Sequence, residues 1–125
     1  MLFDTHAHYD DEKFSPDRNE VLRRAYEEGV RYIVNAACDI PSSVESISLA
    51  QEYHFVYAAV GVHPHNVKDM SESALETLEQ LASHRRVVAI GEIGLDYYYD
   101  NSPRDVQKTW FIKQISLAKK LKLPI

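Results

Sequence analysis

A chain of 125 residues that is 45% hydrophobic and 26% charged can bury a packed core, and disorder is not expected of it. Its formal net charge of −5 excludes general polyanion binding through a basic face, so any nucleic-acid role has to run through metal ions or a local basic patch. A single cysteine, Cys38, excludes an intramolecular disulfide, and no run approaches the roughly 18 apolar residues of a membrane span. Only Leu2 and Phe3 separate Met1 from Asp4, so no signal peptide is expected, and the sequence reads as a cytoplasmic domain.

In chain order, the first β-prone run is LFDTHAH at residues 2–8. A helical pattern follows, with Ser15 as its expected cap, Pro16 as its first residue and Gly29 as its stop after RNEVLRRAYEEG. The second run is RYIVNAA at 31–37, and Ser42 with Glu45 predicts a capping box ahead of Val44, Ile47 and Ala50. The third is FVYAAVGVH at 55–63; Asp69 and Glu72 would then open a helix bearing Leu75, Leu78 and Leu81. The fourth is RVVAIGEIG at 86–94, before a long helix entered at Ser102-Pro103 with Val106, Trp110, Phe111 and Leu117 on its apolar face. LKLPI at 121–125 reads as the opening of a fifth strand.

A β-run recurs every 25 to 30 residues or so, which is the length of a βα unit. Near-continuous apolar runs suit a parallel sheet with helices packed over it. The expected class is therefore α/β, with four βα units arranged either as an open doubly wound sheet or as part of a (β/α)₈ barrel. A complete barrel takes about 250 residues.

On a strand, residues two apart point the same way, so Asp4, His6 and His8 would share one face with both imidazoles at its C-terminal end. That end carries the chemistry of parallel α/β folds, and imidazole suits zinc and other first-row metals. The plainer alternative is two surface histidines in a loop. By the same parity Val88, Ile90 and Glu92 would alternate on one inward face, leaving a carboxylate that is costly unless paired or bound to a cation. A structural salt bridge would satisfy Glu92 alone; one cation held by His6, His8 and Glu92 accounts for all three.

His63 and His65 leave the third run around Pro64 and offer a further ligand, a phosphate contact or a proton donor, unless they are simply solvated. Asp96 and the tyrosines of DYYYD lie just past Glu92, where the rings either stack on bases or pack against neighbouring loops. His54 and His84 sit at polar boundaries and receive no role. Cys38 reads as a small buried residue, because no activating base is implied nearby.

FDTHAHYD, GVHPH, and GEIGLDYYYD followed by SPRDVQKTWFIKQISLAKKLKLPI resemble the TatD family of metal-dependent deoxyribonucleases, within the amidohydrolase superfamily. The likeness runs from residue 2 to the last residue and implies the N-terminal half of a (β/α)₈ barrel over residues 1–125. It implies divalent cations in the barrel mouth, two per intact site and of the Mg²⁺, Mn²⁺ or Zn²⁺ type, with DNA phosphodiester bonds as substrate. By resemblance, His6 and His8 would ligate one metal, Glu92 would bridge two, and His63 would lie near the substrate phosphate; the residues themselves offer His65 and Asp96 as further candidate substrate contacts. Members carry two more histidine ligands on later strands and an aspartate near the eighth that activates water. None of these falls within the 125 residues, so the resemblance implies a chain inactive by itself. Two other readings remain open. Relatives with the same barrel and H-x-H hydrolyse amides or lactones, commonly with a lysine where Glu92 stands; and the chain could be a non-catalytic half-barrel that self-associates or awaits its C-terminal half.

Overall fold

A computed structural model describes all 125 residues, Met1–Ile125. The strands are β1 (Leu2–Ala7), β2 (Val30–Ala36), β3 (Val56–Val60) and β4 (Val87–Ile90). The helices that follow each of them are α1 (Arg18–Glu27), α2 (Ile40–Glu52), α3 (Glu72–Ala82) and α4 (Arg104–Leu121), with short 3₁₀ turns at Glu12–Phe14 and Val67–Asp69. All three strand pairings are parallel and the spatial order is β1-β2-β3-β4. A doubly wound sheet reverses its strand order at a switch point, whereas barrel staves follow chain order, so the observed sheet is a run of staves. No helix is long and apolar enough to cross a membrane.

The core lies between the sheet and its helices. Ile33, Val56, Ala58, Val60 and Ile90 project into it and meet Leu22, Ile47, Leu78 and Leu117. The opposite face of the sheet has no helix. Phe3, Tyr32, Val34, Tyr57 and Val88 line an apolar groove there, with Phe3 and Tyr32 exposed. At the N-terminal rim Arg86 stacks over Tyr57 and donates to the carbonyls of Ala50, His54 and Val56, tying α2 to the start of β3.

The strand parity expected for Val88, Ile90 and Glu92 does not hold. Val87 pairs with Ala58 and Ala89 with Ala59, so two residues of β4 advance against one of β3. Such a bulge inserts one residue and exchanges the faces beyond it. Val88 consequently turns to the open groove, while Ile90 is fully buried under the helices. Glu92 lies beyond the end of β4, in the loop. On β1, His8 likewise lies one residue past the strand.

Each helix starts at a different residue from the one expected. The α1 cap is Asp17 instead of Ser15, whose amide closes the preceding 3₁₀ turn onto Glu12. Gly29, at φ +103°, does stop α1, in a conformation that a side chain would strain. The capping box of α2 is Asp39 with Ser42. The Asp39 carboxylate accepts from Ser42 N at 2.8 Å, and the Ser42 hydroxyl accepts from Asp39 N at 3.0 Å. An ionised acceptor three residues upstream displaces the Ser42/Glu45 alternative. Ser71 caps α3 through Ala74 N, and Asp69 ends the 3₁₀ turn. Pro103 precedes α4, leaving Ser102 buried, where its hydroxyl donates to His65 O. After α4 the chain turns back at Lys122, and Pro124 O accepts from Ile90 N, so the LKLPI tail runs beside β4 through this bond.

Three buried amide side chains hold the loops at the C-terminal end of the sheet. Asn35 accepts from Tyr9 N and donates to Asp10 and to Ser46, fixing the loop after His8. Gln114 accepts from Val62 N at 2.8 Å and donates to Val62 O, fixing the exit of β3. Gln107 accepts from Asp96 N and donates to Asp96 O and Ser102 O, fixing the loop after β4. No buried side-chain polar atom lacks a partner.

Candidate metal centre

His6 near the end of β1, His8 just past it and Glu92 past β4 converge at the C-terminal end of the sheet. Their ligand atoms all lie within 4.8 Å of one another. His6 Nε2 is 3.1 Å from His8 Nε2, and Glu92 Oε2 is 3.3 Å from the former and 3.8 Å from the latter. His8 Nδ1 lies 2.8 Å from the carbonyl oxygen of Ala36. A carbonyl only accepts, so His8 Nδ1 carries the hydrogen and Nε2 presents its lone pair to the cluster. That arrangement, a backbone oxygen fixing the tautomer of an inward-facing imidazole, is the usual support of a metal-ligating histidine. Two ring nitrogens beside a carboxylate form a donor set suited to zinc or another first-row cation.

The Glu92 backbone is held by the ends of two other strands. Glu92 N donates to Ala37 O and Gly91 N to Val60 O. The approach is close enough to require a glycine opposite: a Cβ on Gly61 would sit 2.9 Å from the Gly91 carbonyl carbon and 3.0 Å from Ile93 Cγ2.

The other oxygen of Glu92, Oε1, faces His63 Nε2 at 3.5 Å. His63 N is anchored on Cys38 O, and its Nδ1 accepts from the amide of His65 at 3.0 Å. A backbone amide can only donate, so neutral His63 carries its hydrogen on Nε2, the reverse of His8. Burial pushes the His63 imidazole below its ordinary range, against the opposing pull of the Glu92 carboxylate. His63 is thus a neutral donor aimed into the site.

His65 and Asp96 stand further out and pair with each other through Nε2 and Oδ2. Asp96 also accepts from the amides of Tyr98 and Tyr99. The His65 hydrogen bond, then that of the Tyr99 amide, hold its carboxyl below the usual carboxylate range. The Cys38 thiol is half-buried, lies 3.5 Å from Ser42 Oγ and is pushed up by burial, so it is not an activated nucleophile. His54 and His84 lie at the opposite end of the sheet, beside Arg86. A groove of about 610 Å³ joins His6 and Glu92 of the candidate centre to the open inner face at Val34, Ala59 and Val88.

Sequence reasoning missed Asn35, Gln107 and Gln114, which position this site. The two glutamines recur with Trp110 and Leu117 on the buried face of α4, and polar residues on an apolar helical face were the available signal.

The chain matches the TatD related DNase family over residues 3–125. It is 48% identical to the uncharacterized metal-dependent hydrolase YabD of Bacillus subtilis, covering 100% of this chain and 49% of that protein. It is 31% identical to the 3′-5′ ssDNA/RNA exonuclease TatD of Shigella flexneri, covering 99% of this chain and 48% of that one. The crystal structure of YjjV, a TatD homologue from Escherichia coli K12, superposes with a TM-score of 0.89 at 38% identity, over 98% of this chain and 48% of its own. A TatD family hydrolase from Entamoeba histolytica gives 0.87 at 25% identity, over 95% and 46%. The chain spans about half the length of the relatives it matches.

Proposed function

The chain belongs to the TatD related DNase family, with the fold of half a (β/α)₈ barrel, and on that premise we propose that it supplies the N-terminal half of a metal-dependent nuclease site acting on DNA phosphodiester bonds. The observation that carries this reading is the convergence of His6 Nε2, His8 Nε2 and the Glu92 carboxylate within 4.8 Å. His6 and His8 would hold one cation. Glu92, with one oxygen toward that pair and the other toward the His63 N–H, would be shared between that cation and a second. Bound divalent cations of the Mg²⁺, Mn²⁺ or Zn²⁺ type would polarise the phosphate oxygens and lower the pKa of a water toward neutrality.

The protein's own contribution is orientation and hydrogen bonding. Ala36 O keeps the His8 lone pair directed at the site, and the His65 amide keeps the His63 hydrogen on Nε2, where it donates to a phosphate oxygen. The His65–Asp96 pair steadies the loop bearing His63. Substrate charge does not repel this acidic chain at the site, because the cations and the His63 N–H face it. Three ligands without a water-activating base make an incomplete site. Little or no nuclease activity is expected of these 125 residues by themselves, and their open inner face is expected to be covered by the C-terminal half of a full barrel or, in the isolated chain, by a second copy.

Calorimetric titration with Zn²⁺ and Mn²⁺ tests the ligand assignment. Replacement His8→Ala or Glu92→Gln is expected to weaken binding by tenfold or more, on the order of what losing a supporting partner of a metal ligand already costs. Equal affinity of both variants and the native chain would remove the metal centre.

A further inference from the structure

The loop between β4 and α4 displays more aromatic surface than any other part of the site. Tyr98 is 87% exposed and Tyr99 64%, although the loop that carries them is firmly held. Asp96 accepts from both of their amides, Gln107 clamps Asp96 and Ser102, and Arg104 grips the Asp100 carboxylate with two hydrogen bonds of 2.8 and 2.7 Å. Arg104 also covers the Tyr97 ring at 4.4 Å, which accounts for that tyrosine as an anchor. The rings of Tyr98 and Tyr99 contribute none of these bonds. Two large planar groups are thus presented to solvent by a loop that does not need them to keep its shape.

Their position relates them to the metal centre. Tyr98 and Tyr99 meet edge to face at 4.7 Å, and Tyr99 meets His65 in the same way at 5.5 Å. The His65 ring is 4.2 Å from that of His63, whose Nε2 faces Glu92. A continuous row of rings therefore leads from the bridging carboxylate out to the rim. A strand with one phosphate at Glu92 and His63 would run its next bases along that row.

We propose that Tyr98 and Tyr99 form a stacking platform for a nucleobase of a single-stranded nucleic acid whose phosphate is held at the metal centre. The proposal rests on the phosphodiester reading of that centre and adds to it a subsite for the base. Bases offer flat π-faces to aromatic side chains only when they are unstacked, so the platform selects single strands over duplex. The cation of the loop, Arg104, is already paired with Asp100, so recognition here is by ring faces and not by charge. The base-dependent share of the affinity is accordingly insensitive to salt, unlike the share that comes from phosphates.

The test compares a three-residue oligothymidylate with its abasic counterpart, which carries the same backbone charge, binding to the protein in saturating Mn²⁺. The oligothymidylate is expected to bind about tenfold tighter, in line with the stacking of one base on an aromatic side chain, and to keep that advantage at high salt. The double variant Tyr98→Ala/Tyr99→Ala is expected to lose the advantage while binding the abasic strand as before, and Tyr98→Phe/Tyr99→Phe to retain it. An oligothymidylate that binds no better than the abasic strand overturns the platform and leaves the phosphodiester reading intact. So does an advantage that survives in the alanine variant, or an alanine variant that loses thermal stability instead of affinity, which would assign the rings to packing. Abasic binding indifferent to Mn²⁺ overturns the phosphodiester reading itself, and the platform with it.

Discussion

Three histidines surround Glu92, and backbone hydrogen bonds divide two of them into different roles. His8 gives its Nδ1 hydrogen to Ala36 O, whereas His63 takes a hydrogen from the His65 amide. The expected ¹⁵N–¹H NMR pattern is therefore an Nδ1–H tautomer at His8 and an Nε2–H tautomer at His63. Zinc should shift the His8 Nε2 resonance and leave the His63 hydrogen in place; a zinc-bound His63 Nε2 would contradict its assignment as a donor. A second expectation concerns acid. The Asp96 carboxyl is depressed in the folded chain by His65 and by the Tyr99 amide, so the unfolded chain binds the proton more readily. Its contribution is present above the unfolded carboxylate value of about 3.9 and is lost as pH falls through the lower folded value. In thermal melts across that acid range, Asp96→Asn should decline less steeply than the native chain; parallel profiles would mean that the His65–Asp96 pair does not contribute. At this scale the sequence was informative about residue types but not about direction. Glu92 was reached from a strand parity that the bulge at Val88 breaks, and it enters the site from the loop instead. Nothing in VVAI marks a bulge, because all four residues suit either face.

At the scale of elements, the polar residues that matter are those that one element lends to another. Gln114 on α4 satisfies both the N–H and the carbonyl of Val62, at the point where β3 becomes the GVHPH loop. The substitution Gln114→Leu keeps most of the volume and leaves that donor and acceptor buried without partners. A buried polar group without its partner costs about 1 to 3 kcal/mol, so a loss of about 3 kcal/mol is expected in urea unfolding. Zinc affinity should fall less than in His8→Ala, since the proposed ligands sit at the end of β1, just past it, and after β4. A stability change below about 0.5 kcal/mol, the usual range of a surface substitution, would show that water replaces the glutamine. The alternation of strands and helices was legible because each strand is an apolar run and each helix an amphipathic one. Helix starts were less so: Asp39, Ser42, Asp69 and Ser71 are all competent caps, and which one is used depends on where the preceding strand releases the chain.

For the whole molecule, four consecutive parallel staves leave a sheet covered on one face only. Its accessible surface is 7356 Å², whereas a monomer of 14.4 kDa is expected to expose about 6,800 Å². The excess, roughly 500 Å², is the size of the largest apolar patch that a typical monomer carries. The inner face, where Leu2, Phe3 and Tyr32 are exposed and Val34, Tyr57 and Val88 complete the groove, is the uncovered apolar surface of the sheet. Parallel sheets are ordinarily covered on both faces, and an open strand edge invites pairing. The β1 edge is free, while the β4 edge is followed by the Pro124 segment. Two copies placed inner face to inner face about a two-fold axis would bury both grooves and bring both sets of His6, His8 and Glu92 to one mouth, in the closed symmetry commonest among homo-oligomers. A stable interface takes about 800 Å² from each partner, which the face and the free β1 edge would have to supply together. The isolated chain is therefore expected to sediment as a concentration-dependent dimer of twice 14.4 kDa. The double substitution Phe3→Ser/Tyr32→Ser should shift it to monomer, because both rings lie at the centre of the proposed contact and neither belongs to the core beneath the helices. A monomer at every concentration that unfolds in one cooperative transition would mean that the helix-covered face alone sustains the fold, and that the groove stays open to solvent.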